Sequence, residues 1–521
     1  MKLIEKTVSE CLEERARLTP NKVFLRYNNE TFSWNCVDTV TRQMALLLYD
    51  KGVRSGDMVG LMGVNNASWV ISFLALQKLG AATVLINSHY KEAELMDCIE
   101  MTDMKHLLFT FPGEDRSEYM ENLRNDERSG NLNIMCVDKS YHEWKSISCD
   151  HLYKERELPK PHRNPHDTSI ILFTSGTTNT CKGVKLSHYS IINNAFEVAH
   201  LMKWTDRDKL CLTVPLFHCF GVTVSLLASI MCGMEIVILE KYRTVEVCKN
   251  VEEYQCTVLN GVPSMFLAMI RNERFKDFDL SSLKSGLIAG SPIYPEEYKK
   301  ICSLLPNMKL QTSYGLTEAS PCISLAKYDD SVDKKSISAG KIIDNVTVEI
   351  VNLTTGDLCG PGEAGEIYVK GYNVTSGYLS NDPVVCDAVR PDGWLKTGDL
   401  GYIDEDGYLY IVGRRKNLII RGGENISPNE IEEDIMHVLK NTDVKVMGIK
   451  SEVIQEEIVA CIEAKEDLEK VEEVKKYLAK NLSSYKMPEH FLFFDEFPRN
   501  PTGKINEKEL RKIVLRRLNK L

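Results

Sequence analysis

Residues Ile171–Ser187 read ILFTSGTTNTCKGVKLS. An apolar run ends in a cluster of hydroxyls around one glycine, and a lysine follows. The spacing nearly matches a nucleotide-binding P-loop, GxxxxGK[ST]. It departs at two places: Cys181 stands where the second glycine belongs, and Gly183 stands where a magnesium-binding hydroxyl belongs. The chemistry still suits phosphate. Thr174, Ser175, Thr177 and Thr178 supply hydroxyl donors, and Gly176 lets the backbone approach a ligand closely. Exposed amides in such a turn form an anion cradle. Lys182 adds a mobile positive charge. Taken alone, the same residues also describe a solvated Ser/Thr/Gly turn.

The neighbouring sequence decides the architecture. SIILF before the turn reads as a strand that delivers it at a strand end. SWVISFLALQKLGAATVLIN reads as a helix stopped at Gly80 and followed by a strand. MKHLLFT, DKLCLTVPLF, MEIVILEKY, CTVLNGVPSMF and LKSGLIAGSP continue the rhythm of short apolar runs between helix-like or turn-like pieces. Such alternation predicts an α/β fold with mostly parallel sheets and a site at the carboxyl ends of the strands. After about Ala339 the runs become strand-like and are separated by Gly, Pro and Asp turns, which predicts a smaller β-rich subdomain over 339–415. From Lys416 onward NEIEEDIMHVLK and KVEEVKKYLAKNL read as helices, and VKVMGI and EEIVACIEA as strands, a small α+β unit.

Bulk properties exclude several classes. The chain has 521 residues, 43% hydrophobic and 26% charged, enough for more than one globular core. Its formal charge is -10 and its basic residues are scattered, so a nucleic-acid groove is not expected. Sixteen cysteines lie in apolar stretches, with no CxxC pair and no zinc-finger spacing, and read as reduced buried thiols of a cytoplasmic protein. The N-terminus has no signal-peptide pattern. No apolar run reaches the roughly 18–20 residues that span a bilayer.

Three further segments carry chemistry. QTSYGLTEAS contributes Thr312, Tyr314, Gly315, Thr317 and Glu318. An aromatic beside a glycine can stack on a base, and a hydroxyl followed by a carboxylate can place magnesium against phosphate oxygens. GWLKTGDLGYIDEDGYLYIVGRRKNLIIRGGENISPNEIE contributes Asp399, Arg414, Gly422 and Gly423. Asp399 suits ribose hydroxyls or the capping of its own turn; Arg414 suits the same sugar or a surface ion pair. FPRNPTGKINEKELR places Lys504 after a Pro-Thr-Gly turn, where an exposed lysine is also ordinary.

Together and in this order, these segments resemble those of the class I adenylate-forming superfamily, which includes acyl-CoA synthetases, aryl-CoA ligases, luciferases and peptide-synthetase adenylation domains. The resemblance covers nearly the whole chain. The phosphate loop departs from the family pattern at Asn179 and Cys181, where glycine and proline are usual; asparagine tolerates a left-handed backbone, and loss of proline loosens the empty loop. The resemblance implies an AMP-binding N-terminal domain, 1–415, and a mobile C-terminal domain, 416–521, hinged at Lys416. It implies that a carboxylate attacks the α-phosphate of ATP to give an acyl-adenylate and pyrophosphate, and that a thiol then takes the acyl group and releases AMP.

Roles follow residue by residue from the same resemblance. Ser175, Thr177 and Lys182, in the loop with Thr174, Gly176 and Thr178, would hold the β- and γ-phosphates. Glu318, with Thr178 or Thr317 nearby, would hold Mg²⁺. Tyr314, in the motif with Thr312 and Gly315, would face adenine; Asp399 and Arg414 would bind the ribose region. Lys504 would reach both reacting groups in the first step. Gly422 and Gly423 would line the path of the coenzyme A thiol in the second, or simply form a tight turn. His218 in TVPLFHCFG stands where the family gates its acyl tunnel, with a core histidine as the other reading. Ala289, Gly290 and Ser291 would leave room for a flat ring or a chain. PLFHCFG has no aspartate for an α-ammonium, which disfavours free amino acids. The expected partners are thus a small carboxylic acid, ATP and CoA. The alternative acceptor is a carrier-protein thiol.

Overall fold

The computed structural model describes the chain apart from residues 131, 139–155, 160–162, 176–180, 381–386, 422–423, 441, 452–454, 500–503 and 521; of residues 175, 181, 416, 424, 425, 455 and 468 it describes the backbone alone. Gly176, Thr177, Thr178, Gly422 and Gly423 therefore lie outside the described residues. Two compact units form, one from 1–348 and 369–395, the other from 349–368 and 396–521.

The first unit is built on two large sheets. One runs Tyr378–Leu379, Cys181–Ser187, Thr168–Ser175, Ala82–Ile86, Met58–Gly63, His106–Thr110, Asn133–Cys136. Its last five strands are parallel. The other runs Lys341–Ile342, Cys322–Leu325, Lys309–Gly315, Ser285–Ile288, Val258–Leu259, Lys209–Leu212, Glu235–Ile238, Val23–Tyr27, Glu30–Ser33. It is parallel from Lys309–Gly315 through Val23–Tyr27. The mostly parallel α/β architecture expected from the alternation of apolar runs is what the chain adopts.

Helix Ala67–Leu79 shows why. Its residues are apolar nearly all round and every one is buried, as a helix inside a large core must be. The Asn66 side chain caps it by accepting from the Trp69 amide, and Gly80 ends it at φ +72°. One apolar core draws on this helix, on Trp34–Asp50 and His188–Leu201, and on strands of both sheets. Among the described residues no helix is long and apolar enough to cross a membrane.

The β-rich piece, with strand order Val346–Val351, Gly365–Gly371, Leu395–Ile403, Leu409–Arg414, falls mostly in the second unit, which also carries a terminal α+β sheet. In that terminal sheet, strand Gln455–Ile462 alternates. Ile458, Ala460 and Ile462 join a core with helices Pro428–Val438 and Leu468–Asn481, whereas Val459 and Cys461 join one with Leu510 and Val514.

One feature departs from the sequence reading. Lys182 sits on a strand rather than a mobile loop: Thr168–Ser175 and Cys181–Ser187 pair antiparallel, with Thr174 opposite Lys182. The segment after His218, for which the sequence reading assigned no element, is a π-helical stretch, Phe220–Leu227. Such wide turns recur at functional sites.

Candidate active site

Strand ends of the first unit bring the candidate residues forward. Along Thr168–Ser175, Ile170, Leu172 and Thr174 alternate onto one face, the first two buried. The Thr174 hydroxyl is buried and has no hydrogen-bond partner among the described residues. A buried hydroxyl in that state carries a desolvation cost that a ligand acceptor would relieve.

Cross-strand from it, Lys182 Nζ lies 2.5 Å from Glu318 Oε1. Glu318 is buried, and Lys182 is 21% exposed. The ammonium also lies 4.8 Å from the centre of the Tyr378 ring, and the Tyr378 hydroxyl donates to Glu318 Oε1 at 3.5 Å. Charge and ring quadrupole thus hold one lysine in one place.

Glu318 is positioned by backbone. Strand Lys309–Gly315 ends where a Cβ on Gly315 would meet the Pro321 carbonyl oxygen at 1.9 Å, so only glycine allows the chain to fold back there. The turn Thr317–Ala319 follows, and the Thr375 amide donates to the Glu318 carbonyl at 2.7 Å. Ser320 Oγ donates to the Asn373 carbonyl at 2.8 Å, fastening the far side of the turn. Tyr314 and Thr317 are half-buried beside it. The buried Thr312 hydroxyl bonds the carbonyls of Lys335 and Ser338, at 3.1 and 3.0 Å, and so braces the strand from within.

The predicted acyl-pocket residues occupy the neighbouring strand ends. Ala289, Gly290 and Ser291 follow strand Ser285–Ile288, with Gly290 at φ +88°. His218 follows strand Lys209–Leu212 in a segment tied down by Asn65, whose amide brackets the Val214 carbonyl and the Leu216 amide. Its ring lies 4.6 Å from that of Phe217. Burial pushes the adjacent Cys219 thiol far above its usual range, opposed by a hydrogen bond with Thr223 and aided slightly by the Glu318 carboxylate.

In the second unit, Asp399 and Arg414 face each other across strands Leu395–Ile403 and Leu409–Arg414, with Nε to Oδ1 at 2.8 Å. Asp399 is 5% exposed and Arg414 53%, so the carboxylate is fixed and the guanidinium keeps most of its surface. Arg415 pairs with buried Glu366 at 2.8 Å and opens the backbone turn Arg415–Asn417 that contains Lys416. The Lys504 side chain is exposed at its surface, yet the protein mass around it disfavours the ammonium and lowers its pKa from the usual lysine range, and the positive charge of Arg414 lowers it further.

Tyr378 and Thr375 were not singled out in the sequence. The signal was present in VTSGYLS: an aromatic next to a glycine, the pattern that drew attention to Tyr314.

The donor set suits a polyphosphate with its counter-cation: an unsatisfied buried hydroxyl, a held ammonium and a buried carboxylate. Among the described residues no group of three or more His, Cys, Asp or Glu could hold a metal by itself. A magnesium ion on Glu318 would take its remaining ligands from phosphate oxygens and water, as Mg²⁺ at nucleotide sites commonly does.

Known proteins share this arrangement of sheets and motifs. The chain is 32% identical to the putative acyl-CoA synthetase YngI of Bacillus subtilis (strain 168), over 99% of this chain and 98% of that one. It is 31% identical to the mitochondrial medium-chain acyl-CoA ligase ACSF2 of Bos taurus, over 99% of this chain and 89% of that one. Among solved structures, the o-succinylbenzoate coenzyme A synthetase of Bacillus subtilis, in complex with ATP and magnesium ion, superposes with a TM-score of 0.81 at 27% identity, covering 96% of this chain and 99% of that one. The AMP-binding enzyme family model matches residues 12–379, and the AMP-binding enzyme C-terminal domain model matches 430–504. The chain belongs to the AMP-binding enzyme family, within the superfamily of adenylate-forming ligases.

Proposed function

We propose that this protein is an ATP-dependent carboxylic acid–CoA ligase. It joins an acid to AMP with release of pyrophosphate, then passes the acyl group to the thiol of coenzyme A. The observation that carries this reading is the Lys182–Glu318 pair held against Tyr378 beside the Thr174 hydroxyl, which has no hydrogen-bond partner among the described residues.

A carboxylate and the α-phosphate of ATP repel each other, so the first step needs positive charge where negative charge accumulates. Lys182 holds the outer phosphates, which leave as pyrophosphate, with the hydroxyls of Thr174, Ser175, Thr177 and Thr178 around them. Glu318, with Thr178 or Thr317, holds the magnesium, which when bound neutralises phosphate charge. Tyr314 faces the adenine, in the motif with Thr312 and Gly315, and Asp399 and Arg414 hold the ribose. Lys504 is assigned to the first half-reaction, steadying both the carboxylate and the phosphoryl oxygens. Gly422 and Gly423 are assigned to the second, as the wall along which the thiol travels. The division into 1–415 and 416–521 at Lys416 belongs to the same proposal. His218, Ala289, Gly290 and Ser291 frame the acyl pocket.

Purified protein given ATP, magnesium and a panel of carboxylic acids tests this. Acid-dependent pyrophosphate release followed by a CoA thioester supports it. Release of pyrophosphate with transfer only to a holo-carrier protein would replace the acceptor, and no release with any acid would remove the proposal.

A further inference from the structure

The chain from Thr375 to Leu379 runs between the two halves of the proposed phosphate site. On one side it pairs antiparallel with the strand of Lys182: Tyr378 stands opposite Val184 and Leu379 opposite Gly183. The Lys185 amide donates to the Gly377 carbonyl at 3.1 Å, and the Thr375 hydroxyl donates to the Lys185 carbonyl at 2.6 Å. On the other side the Thr375 amide donates to the Glu318 carbonyl at 2.7 Å. Gly377 turns the chain among these contacts at φ +132°, in the region that favours glycine. Backbone thus fixes this strap to the lysine strand and to the carboxylate turn at once.

The aromatic side chain of the strap meets both charges. The Tyr378 ring centre lies 4.8 Å from Lys182 Nζ, and the hydroxyl donates to Glu318 Oε1 at 3.5 Å. Lys182 Nζ reaches the same oxygen at 2.5 Å. These contacts differ in what a nucleotide would do to them. Under the ligase reading Glu318 turns to the cation, and the ammonium loses its carboxylate. The face of the ring has no lone pair to offer a metal, so its attraction for the ammonium persists. A lysine ammonium rides on a flexible four-carbon stem, and ordering that stem costs entropy. A ring already beside it lowers that cost.

We propose that Tyr378 is a positioning residue for the outer phosphates of the nucleotide. Its ring keeps the Lys182 ammonium in place once Glu318 has turned away, and the bonds of Thr375 and Gly377 keep the ring in place. This rests on the ligase reading, and adds to it a residue that acts through Lys182.

The test is titration of the full chain with a non-hydrolysable ATP analogue and magnesium. Tyr378→Leu, which removes the ring, should weaken binding about three- to thirtyfold, the range of a partly desolvated cation–π contact. Tyr378→Phe, which keeps the ring, should weaken it by no more than about threefold. In a Lys182→Met background Tyr378→Leu should change affinity by less than about twofold, because no ammonium is left to hold. Fluorinated phenylalanines at position 378 should weaken binding stepwise with each fluorine, since fluorine drains the ring quadrupole and leaves its shape nearly unchanged. That series decides the matter if Tyr378→Leu does not fold. No weakening by Tyr378→Leu, equal weakening in both backgrounds, or a flat fluorine series in a protein that binds the analogue would overturn the inference alone. A wild-type chain that binds no nucleotide would overturn it together with the ligase reading.

Discussion

Lys182 and Glu318, separated by 136 residues in sequence, meet as an ion pair at 2.5 Å. Each charge answers the other while the site holds no nucleotide. Under the proposed function, a polyphosphate and its cation would exchange these partners, the ammonium turning to phosphate and the carboxylate to metal. Each member neutralises the other, so Glu318 is not buried as an unpaired charge.

Lys182→Met is expected to lower acid-dependent pyrophosphate release by about 10²–10³, the loss typical of one preorganised electrostatic contact. Glu318→Gln is expected to lower it comparably and to raise the magnesium concentration needed for half-maximal rate. Because the two residues are in contact, the double variant should fall well short of the product of the single losses. Steady-state kinetics across magnesium concentrations check all three.

Asp399→Asn should raise KM for ATP by about 10- to 100-fold with a smaller change in kcat, since a hydrogen bond to a charged group contributes about 1.5–3 kcal/mol. The buried carboxylate is fixed by Arg414, so Arg414→Ala should weaken ATP binding through the same group. Isothermal titration with a non-hydrolysable nucleotide measures both.

Lys504 has a pKa below the usual lysine range, first from desolvation and then from Arg414. A lowered pKa means that the ammonium loses its proton at a lower pH. Acid activation should therefore decline on the alkaline side before an ordinary lysine would titrate. Arg414→Gln should move that decline upward, because it removes a positive charge. Lys504→Ala should abolish adenylate formation and leave substantial thioester formation from supplied acyl-adenylate. Gly423→Leu should do the reverse. pH–rate profiles of the separated half-reactions distinguish these outcomes.

His188 is buried, and its Nδ1 accepts from the Val8 amide at 3.3 Å. Burial lowers its pKa from 6.5 to about 4. The unfolded chain takes up this proton near pH 6.5 and the folded chain only near pH 4, so the contribution is full above 6.5 and is lost as pH falls towards 4. At pH 5 the loss should be about 2 kcal/mol relative to pH 7. Urea unfolding at both pH values checks it, and His188→Gln should flatten the difference.

Much of the fold was legible because short apolar runs and their punctuation reflect burial directly. Ala67–Leu79 ends at Gly80 where the reading stopped it, and the strands of the carboxyl edge fall within the apolar runs that were read as strands. The motif order identified the superfamily. What stayed hidden depends on distance in sequence. Lys182 was read as mobile because nothing near it reveals that Cys181–Ser187 pairs with Thr168–Ser175, or that Glu318 and Tyr378 close on its ammonium.

The central claim is that the acid is activated as an adenylate before any thiol takes part. Isotope exchange between pyrophosphate and ATP, measured with an accepted acid and without coenzyme A, tests it most directly. Acid-dependent exchange is expected under those conditions, falling by about 10²–10³ in Lys182→Met. Exchange that requires coenzyme A, or conversion of ATP to ADP and phosphate in place of AMP and pyrophosphate, would contradict it.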